Sequence, residues 1–255
     1  MEPMRRYSGN VAPYVLAAAA VIFVWQMVVT LTAPHVSLLP SPWLAAETFA
    51  ELVENGKLFV HVQASLTRVF SAWSLSALIA VPLGLAMGRA RLLERILDPV
   101  IELFRPISPL AWIPLAILWF GIGEGGKIFV IVIATFFPIL LNTVAGVKSI
   151  DPVLIRAGRV LGCEGSARLF RKVVFPAALP HIVVGLRISF GTGWAAIIAA
   201  ELVAARSGLG YLIANGMEVL RSDLVLVGMA VIGVLGVTFD GVFRWLNRRY
   251  SWVEP

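Results

Sequence analysis

The segment Ile150–Pro180, IDPVLIRAGRVLGCEGSARLFRKVVFPAALP, is a basic stretch between two strongly apolar ones. Asp151 followed by Pro152 predicts the start of a helix, because an aspartate caps the first turn and a proline there needs no N–H partner. Gly162 predicts the end of that helix, since glycine readily adopts the left-handed conformation common at helix ends. The first half of the segment is therefore predicted to be a short helix.

A second short helix is predicted after this glycine, over residues 166–174, with Pro176 and Pro180 breaking it. The segment then forms a hairpin of two helices, which we expect to contact another protein. The small residues that would let a partner's backbone come close are Ala157, Gly158 and Gly162. The positive side chains around them are Arg156, Arg159, Arg168, Arg171 and Lys172.

The composition of the whole chain is that of an integral membrane protein. Hydrophobic residues make up 59% of the 255 residues and charged residues 14%, and the mean hydropathy is +0.87. A soluble domain has about 25% charged residues. The single Cys163 excludes an intrachain disulfide, and no His or Cys cluster has metal-ligand spacing, so no metal or cofactor is expected.

Apolar runs predict about six membrane-spanning helices, since a span needs about 20 apolar residues. The third run is the least regular, because Pro106, Pro109 and Pro114 oppose a straight helix. Residues 1–255 are therefore predicted to form a single all-α membrane domain. The predicted spans are 11–32, 62–88, 99–121, 127–147, 178–205 and 223–244, with a loop over 148–178.

Basic residues fall unevenly on alternate sides of these spans, and such an excess marks the cytoplasmic side. Both termini and the hairpin are therefore predicted to face the cytoplasm. The same asymmetry accounts for the net charge of +6 without nucleic acid as a partner. The fourteen residues on the cytoplasmic side are Arg5, Arg6, Arg89, Arg91, Arg95, Lys148, Arg156, Arg159, Arg168, Arg171, Lys172, Arg244, Arg248 and Arg249. The four on the other side are Lys57, Lys127, Arg206 and Arg221.

The hairpin also contains a motif. Arg156-Ala157-Gly158, three residues, Gly162 and a spacer ending at Pro176 resemble the EAA loop, the cytoplasmic signature of inner-membrane permeases of ABC importers. Arg156 stands where the motif has a glutamate, and Gly158 where it has a second alanine. With DPVIELFRPISPLAWIPLAILWFGIGE before it and ISFGTGWAAIIAAELVAARSGLGYLI after it, the chain resembles the nitrate, sulfonate and taurine permeases over residues 39–249.

This resemblance implies the type I ABC importer permease fold in the bacterial inner membrane. It implies two copies of a cytoplasmic ATPase, which receive the hairpin, and an extracytoplasmic solute-binding protein. It also implies a homodimer with the substrate path on its two-fold axis, and alternation between inward-facing and outward-facing states. The residues that match the ATPase-coupling motif are Arg156, Ala157, Gly158, Gly162 and Pro176.

Residues 41–56 predict an amphipathic helix at the outer membrane surface, with Ser41 and Pro42 at its start. Two roles are open for it: a helix that braces neighbouring spans, or a docking surface for the binding protein.

An enzyme is not expected. GIGEGGKI, Gly121 to Ile128, resembles a phosphate-binding loop, but Ile128 replaces the required Ser or Thr hydroxyl and the stretch lies between two membrane spans. ATP hydrolysis is therefore expected in a separate subunit. No combination of nucleophile and base is visible in the chain. A secondary transporter is disfavoured by the lack of midplane carboxylates and inverted repeats.

Ionisable residues within the spans are few. Glu102 and Arg105 are predicted to pair near the cytoplasmic end of the third span. Arg187 and Glu201 share one face of the fifth span, about 21 Å apart, and would each reach toward a membrane surface or lie at a mouth of the path. Candidate path residues are Trp112, Arg187, Ser189, Thr192, Trp194 and Glu201; packing is the alternative.

The expected substrate is a small anion such as a sulfonate, taurine or nitrate. Bicarbonate, an aromatic acid and a ring related to thiamine precursors remain alternatives. Because Arg105 and Arg187 are both expected nearer the cytoplasmic end, weak binding of substrate by the permease alone is predicted.

Overall fold

The computed structural model describes residues 12–32, 35, 38–163 and 165–250, and these residues form helices joined by turns. Arg5, Arg6 and Val11, which the predicted first span and its flank include, lie outside the described residues. The α-helices are α1 Ala12–Thr32, α2 Pro42–Glu54, α3 Lys57–Arg89, α4 Arg91–Phe104, α5 Ile113–Phe120, α6 Glu124–Lys148, α7 Pro152–Val160, α8 Ser166–Leu169, α9 Phe175–Ala204, α10 Leu209–Glu218 and α11 Ser222–Tyr250. A 3₁₀ turn, Pro109–Trp112, precedes α5, and a π-helical segment, Phe170–Val174, precedes α9.

The fold is that of an all-α, multi-pass membrane protein, as predicted. Within the described residues, four helical stretches are long and apolar enough to cross a bilayer: α3, α6, the stretch Ala167–Ala204 that contains α9, and α11. A fifth crossing results if α4 and Pro109–Phe120 count as one span. The 21-residue apolar α1 lies where the first span is predicted. Its residues 19–32 count only as a shorter apolar helix, so this crossing stays a prediction. The helix α1 is tied to the rest of the chain by a hydrogen bond from Trp25 Nε1 to the carbonyl of Pro40, 3.1 Å long.

The predicted third span, 99–121, is not a straight helix, as its prolines predicted. Its two halves meet at an angle of 82°. The break falls at residues 105–108, between α4 and the 3₁₀ turn. Pro106 and Pro109 explain it, because neither can donate the backbone hydrogen bond that a continuous helix requires.

The core of the bundle is the contact of α6 with α3 on one side and α9 on the other. Glycines make these contacts close. A Cβ atom on Gly84 would lie 2.7 Å from Thr143 Cβ, and one on Gly146 would lie 2.6 Å from His181 Cβ. Small residues let membrane helices approach closely where no hydrophobic effect drives their association. The three long helices therefore pack backbone against backbone.

The predicted amphipathic helix is α2, which braces the bundle. Ser41 caps it by accepting a hydrogen bond from Leu44 N, 3.2 Å away. Its buried Thr48 donates to Asp223 Oδ2 at the start of α11, at 2.7 Å. Arg221 also bonds to Asp223, at 2.6 Å, and this hydrogen bond raises the pKa of the Arg221 guanidinium above its usual value. The bracing role is thus supported; docking of a binding protein on the exposed face of α2 stays a prediction.

Candidate functional site

The hairpin predicted between the fourth and fifth spans is present as α7, a tight turn and α8. Asp151 Oδ1 accepts a hydrogen bond from Val153 N, 2.7 Å away, at the start of α7. Gly162 has φ +85°, which permits the turn, and Cys163 N then donates to the carbonyl of Gly158 at 3.0 Å. The Asp-Pro start and the glycine stop are both confirmed.

The predicted end of the second helix is wrong. Pro176 and Pro180 do not break it: the helix runs without interruption from Ala167 through the π-helical segment to Ala204. The N–H of Phe175 bonds to the carbonyl of Phe170, five residues back, so the helix is widened just before Pro176. Pro176 directly follows this widened turn, so the N–H that proline lacks falls where the regular hydrogen-bond pattern is already interrupted. The hairpin is therefore a direct extension of a membrane-spanning helix.

The structure also changes the role of one motif residue. Gly158 is buried against the other arm of the hairpin, and a Cβ there would lie 2.8 Å from Val173 Cγ2. Its small size serves packing within the hairpin, not the approach of a partner's backbone. Arg156 and Ala157 are exposed, as is Pro176. A Cβ atom added at Gly162 would meet nothing within 4 Å, so the turn uses the conformation of this glycine and not its size.

The outer surface of the hairpin is apolar as well as basic. Val160 is 86% exposed and Leu161 82% exposed, and Val153 and Leu154 on the same helix are more than half exposed. Arg156 and Arg159 lie beside them and are exposed as well. We call the end of the bundle that carries this hairpin the hairpin end. Such a patch, rimmed by charge, is typical of a protein-binding surface.

At the opposite end lies an ionic cluster around Arg68 of α3, buried except for Glu124, whose side chain is 57% exposed. All five N–H donors of its guanidinium are used. They bond to Glu124 Oε1 and Oε2 at 2.8 and 2.5 Å, to Glu201 Oε1 at 2.7 Å, and to the carbonyl and hydroxyl of Ser207 at 2.7 and 2.9 Å. The Arg68 side chain is 8% exposed and the Glu201 side chain 0%. We call this group the Arg68 cluster.

Glu201 has further partners in the Arg68 cluster. Its carboxylate accepts hydrogen bonds from Ser65 Oγ, at 2.9 and 2.8 Å, and from the backbone N–H of Gly210, at 2.9 Å. Lys127 of α6 pairs with Glu124 at 2.9 Å. Two carboxylates and two cations therefore neutralise one another, and the cluster holds α3, α6, α9 and α10 together.

Sequence reasoning missed Arg68 and α10. The signal for Arg68 was a charged residue within the apolar run 62–88, where ionisable groups are costly. The expected extension of Glu201 to the membrane surface is wrong, because its side chain is enclosed. Lys127, predicted to lie on the outer side of the membrane, is buried as well.

The remaining predicted path residues lie in different places. Arg187 pairs with Asp240 of α11, with 2.8 Å between Arg187 Nη2 and Asp240 Oδ1, and Arg244 pairs with the other oxygen at 3.0 Å. Ser189 is buried, and its hydroxyl accepts a hydrogen bond from Trp73 Nε1 at 2.9 Å. Trp194 donates to the carbonyl of Ile232 at 3.3 Å. A path role for these residues stays a prediction.

The helix break at 105–108 borders a pocket of about 390 Å³. Arg105 lines it together with Asn142 of α6 and Thr192 of α9. No ion pair joins Arg105 to Glu102 in the described part of the chain, contrary to the prediction. The apolar and proline residues that complete the lining are Ile107, Pro109, Ile133, Ala134, Phe137, Pro138 and Leu141. We call this cavity the Arg105 pocket.

Trp112, another predicted path residue, lies on the 3₁₀ turn just beyond the break. Its ring packs between Phe104 and Phe129, with centroid distances of 6.1 Å to each. Its Nε1 is buried and has no hydrogen-bond partner among the described residues.

The fold has a bent helix pair packed on three long spans and an exposed basic hairpin at one end. These features together indicate a membrane permease. The family model of the inner membrane component of binding-protein-dependent transport systems matches residues 80–252. The chain belongs to this family. It is a permease subunit of the ABC-importer type, as the hairpin motif predicted.

Similar proteins support this family assignment, and a solved structure has a similar fold. The chain is 41% identical to the taurine transport system permease protein TauC of Escherichia coli, over 91% of this chain and 86% of that protein. It is 40% identical to the bicarbonate transport system permease protein CmpB of Synechococcus elongatus, over 75% and 69%. The fold matches a chain of the inward-facing MetNI methionine ABC transporter with a TM-score of 0.64 at 20% identity, covering 82% of this chain and 97% of that one.

Proposed function

We propose that this protein is the membrane subunit of an ATP-driven importer in the bacterial inner membrane, and that it translocates a small solute that carries a sulfonate group, such as an alkyl sulfonate or taurine. Two copies would form the path, two cytoplasmic ATPases would bind the two hairpins, and an extracytoplasmic binding protein would deliver the substrate. The observation that carries the proposal is the hairpin surface. It exposes large apolar side chains on a part of the chain that is too short and too basic to lie in lipid.

The exposed residues favour docking of the ATPase on α7 and the turn. Val160 and Leu161 would be desolvated in a groove of the ATPase, and Arg156 and Ala157 lie on the same exposed helix. Because the hairpin continues into α9, a displacement of the docked ATPase would be transmitted to a membrane-spanning helix. Gly162 would support the contact indirectly, by fixing the turn.

The orientation of the chain supports the same arrangement. With the hairpin in the cytoplasm, the basic residues of α7, α8 and the end of α11 lie on the inner side, as the positive-inside rule requires. The Arg68 cluster and α10 would then face the outside, where a binding protein docks.

The ATPase contact can be tested with a pair of exposed apolar residues at opposite ends. Val160→Glu should abolish co-purification of the cognate ATPase, because it places a carboxylate in the buried part of the interface. Ile122→Glu is the matched control, since Ile122 is 72% exposed in the loop at the opposite end. Equal ATPase recovery with both variants would refute the coupling role of the hairpin.

The names of two relatives suggest candidate substrates. The coverage and identity of the taurine permease favour a sulfonate, whereas the cyanobacterial relative favours bicarbonate as the second candidate. Uptake of labelled taurine into proteoliposomes that contain permease, ATPase and binding protein, with unlabelled bicarbonate as competitor, distinguishes them.

A further inference from the structure

The Arg105 pocket lies at mid-depth in the bundle. Pro138 of α6 lines it, about 21 Å from Glu124 and about 15 Å from Lys148 at 1.5 Å per residue. Thr192 lines it from α9, about 26 Å from Phe175 and about 18 Å from Ala204. A straight third span would place Arg105 nearer the cytoplasmic end. The 82° bend at the helix break instead turns this residue toward the middle of α6.

The charge balance of the pocket is positive. Arg105 is the one ionisable residue among those that line the pocket in the described structure, and it forms no ion pair there. By contrast, Arg68 and Arg187 both have carboxylate partners. Arg105 is exposed in the single subunit. An arginine without a carboxylate partner that faces a cavity within the bilayer is costly, and such residues mark ligand pathways.

The backbone at the pocket also indicates a ligand site. A helix that breaks within the membrane exposes backbone groups, and this is tolerated where the break is buried in protein or lines a polar cavity. Discontinuous helices form the substrate sites of many transporters near the bilayer midplane. Here the break supplies Arg105 and Pro109 to the pocket, and α6 and α9 supply Asn142 and Thr192.

The side chains of Asn142 and Thr192 have limited capacity to donate hydrogen bonds to a ligand. The Asn142 amide donates to the carbonyl of Pro138 at 2.8 Å, and the Thr192 hydroxyl donates to the carbonyl of Ala134 at 2.9 Å. One N–H of the Asn142 amide and the Thr192 hydroxyl proton are thus occupied, and the five N–H groups of the Arg105 guanidinium form the largest donor set for a ligand. A guanidinium binds planar pairs of oxygen atoms in a bidentate manner.

We infer that Arg105 and the pocket at the helix break form an intramembrane contact site for a small oxyanion, such as the sulfonate group of the transported solute. The apolar lining by Phe137 and Leu141 fits a short carbon chain beside the anionic group. A pocket of about 390 Å³ has room for such a solute. The identity of the anion as the transported substrate depends on the proposed function, whereas the preference for anions does not.

The preference for anions can be measured without transport. A Thr192→Cys substitution in a Cys163→Ser background places a thiol in the pocket. Its labelling rate is measured with two reagents of similar size and opposite charge, a negatively charged sulfonatoethyl methanethiosulfonate and a positively charged trimethylammonioethyl methanethiosulfonate. A cleft of positive potential raises the local concentration of an anion about tenfold or more.

The expected result is that Arg105→Gln slows labelling by the anionic reagent about tenfold relative to the cationic reagent. Arg105→Lys should keep most of the preference, and adding ethanesulfonate should protect the thiol only when residue 105 is charged. Size-exclusion profiles of the variants control for folding. An unchanged ratio of the two rates in Arg105→Gln, or a thiol that neither reagent reaches, overturns the inference.

A second measurement connects the site to transport. In proteoliposomes with ATPase and binding protein, Arg105→Gln should reduce taurine uptake about tenfold or more while co-purification of the ATPase is unchanged. If the labelling preference is present but uptake is unaffected by Arg105→Gln, the pocket is not on the substrate path. If no anion or solute tested is taken up by the unmodified complex, the proposed function fails while the labelling result stands.

Discussion

Removal of the Arg68 guanidinium is expected to be among the most destabilising single changes at the end opposite the hairpin. Arg68→Met keeps much of the side-chain volume but leaves the Glu201 carboxylate, which is 0% exposed, without its cation. Removing one partner of a buried ion pair costs about 3 to 5 kcal/mol, since the remaining charge stays desolvated. Glu124 and Ser207 lose their bonds to the guanidinium in the same change.

This loss of stability corresponds to a measurable decrease in Tm. For chains of about 150 to 250 residues, 1 kcal/mol corresponds to about 2 to 4 °C in Tm, so Arg68→Met should lower the Tm by about 6 to 20 °C. Thermal unfolding of the purified protein in detergent, followed by tryptophan fluorescence, provides the measurement. The same experiment on proteoliposomes checks that the effect is not specific to detergent.

Two further variants separate buried charge from simple loss of contacts. Glu201→Gln combined with Arg68→Met removes both charges, and it should recover at least half of the lost Tm, because no unpaired ion is then buried. Arg187→Met is the matched control. Its pair with Asp240 is partly exposed, at 35% and 43%, and Asp240 keeps Arg244 as a partner, so the cost should be about 0 to 1 kcal/mol.

The outcome that would refute this reasoning is specific. If Arg68→Met lowers the Tm no more than Arg187→Met does, the buried pair does not stabilise this end. If the double variant is less stable than Arg68→Met alone, hydrogen bonding by the Glu201 carboxylate, and not its unpaired charge, dominates.

Two other predictions concern the hairpin and the orientation. Gly162→Ala should destabilise the hairpin by about 1 to 2 kcal/mol, because Gly162 has φ +85°, and faster hydrogen exchange in α7 is the readout. The control is Gly191→Ala, at a glycine within α9 where an added Cβ meets nothing within 4 Å. In a Cys163→Ser background, a Gly125→Cys thiol should react with an impermeant maleimide added to intact cells, whereas an Ala167→Cys thiol should react only after permeabilisation; the reverse order would refute the N-in topology.

Local sequence signals predicted what depends on neighbouring residues. The Asp151-Pro152 start and the Gly162 stop of α7 are decided within a few residues, and both are present. The apolar runs likewise located α3, α6 and α11. The predicted break at Pro180 is wrong because that prediction used only neighbouring residues. Proline opposes a helix locally, but in a membrane-spanning helix the surrounding helices and the bilayer stabilise the helix.

Pairing between distant residues could not be predicted from the sequence. Arg68 and Glu201 are separated by 133 positions, and no periodicity within either helix indicates that the two residues meet. The same holds for Arg187 and Asp240. The sequence does not indicate that Arg105 lies beside the middle of α6, because the 82° bend sets the position of every residue near the break.

The continuity of the hairpin with α9 determines where its movement can have an effect. Ala167–Ala204 is one helical stretch of 38 residues, about 57 Å long, with the hairpin at one end and Glu201 in the Arg68 cluster at the other. Because the cluster fixes Glu201 to α3 and α10, we expect a tilt imposed at the hairpin to pivot near that end. Thr192 lies between the two, where α9 lines the Arg105 pocket. On the proposed function, docking of the ATPase would therefore alter the pocket while the Arg68 cluster stays intact.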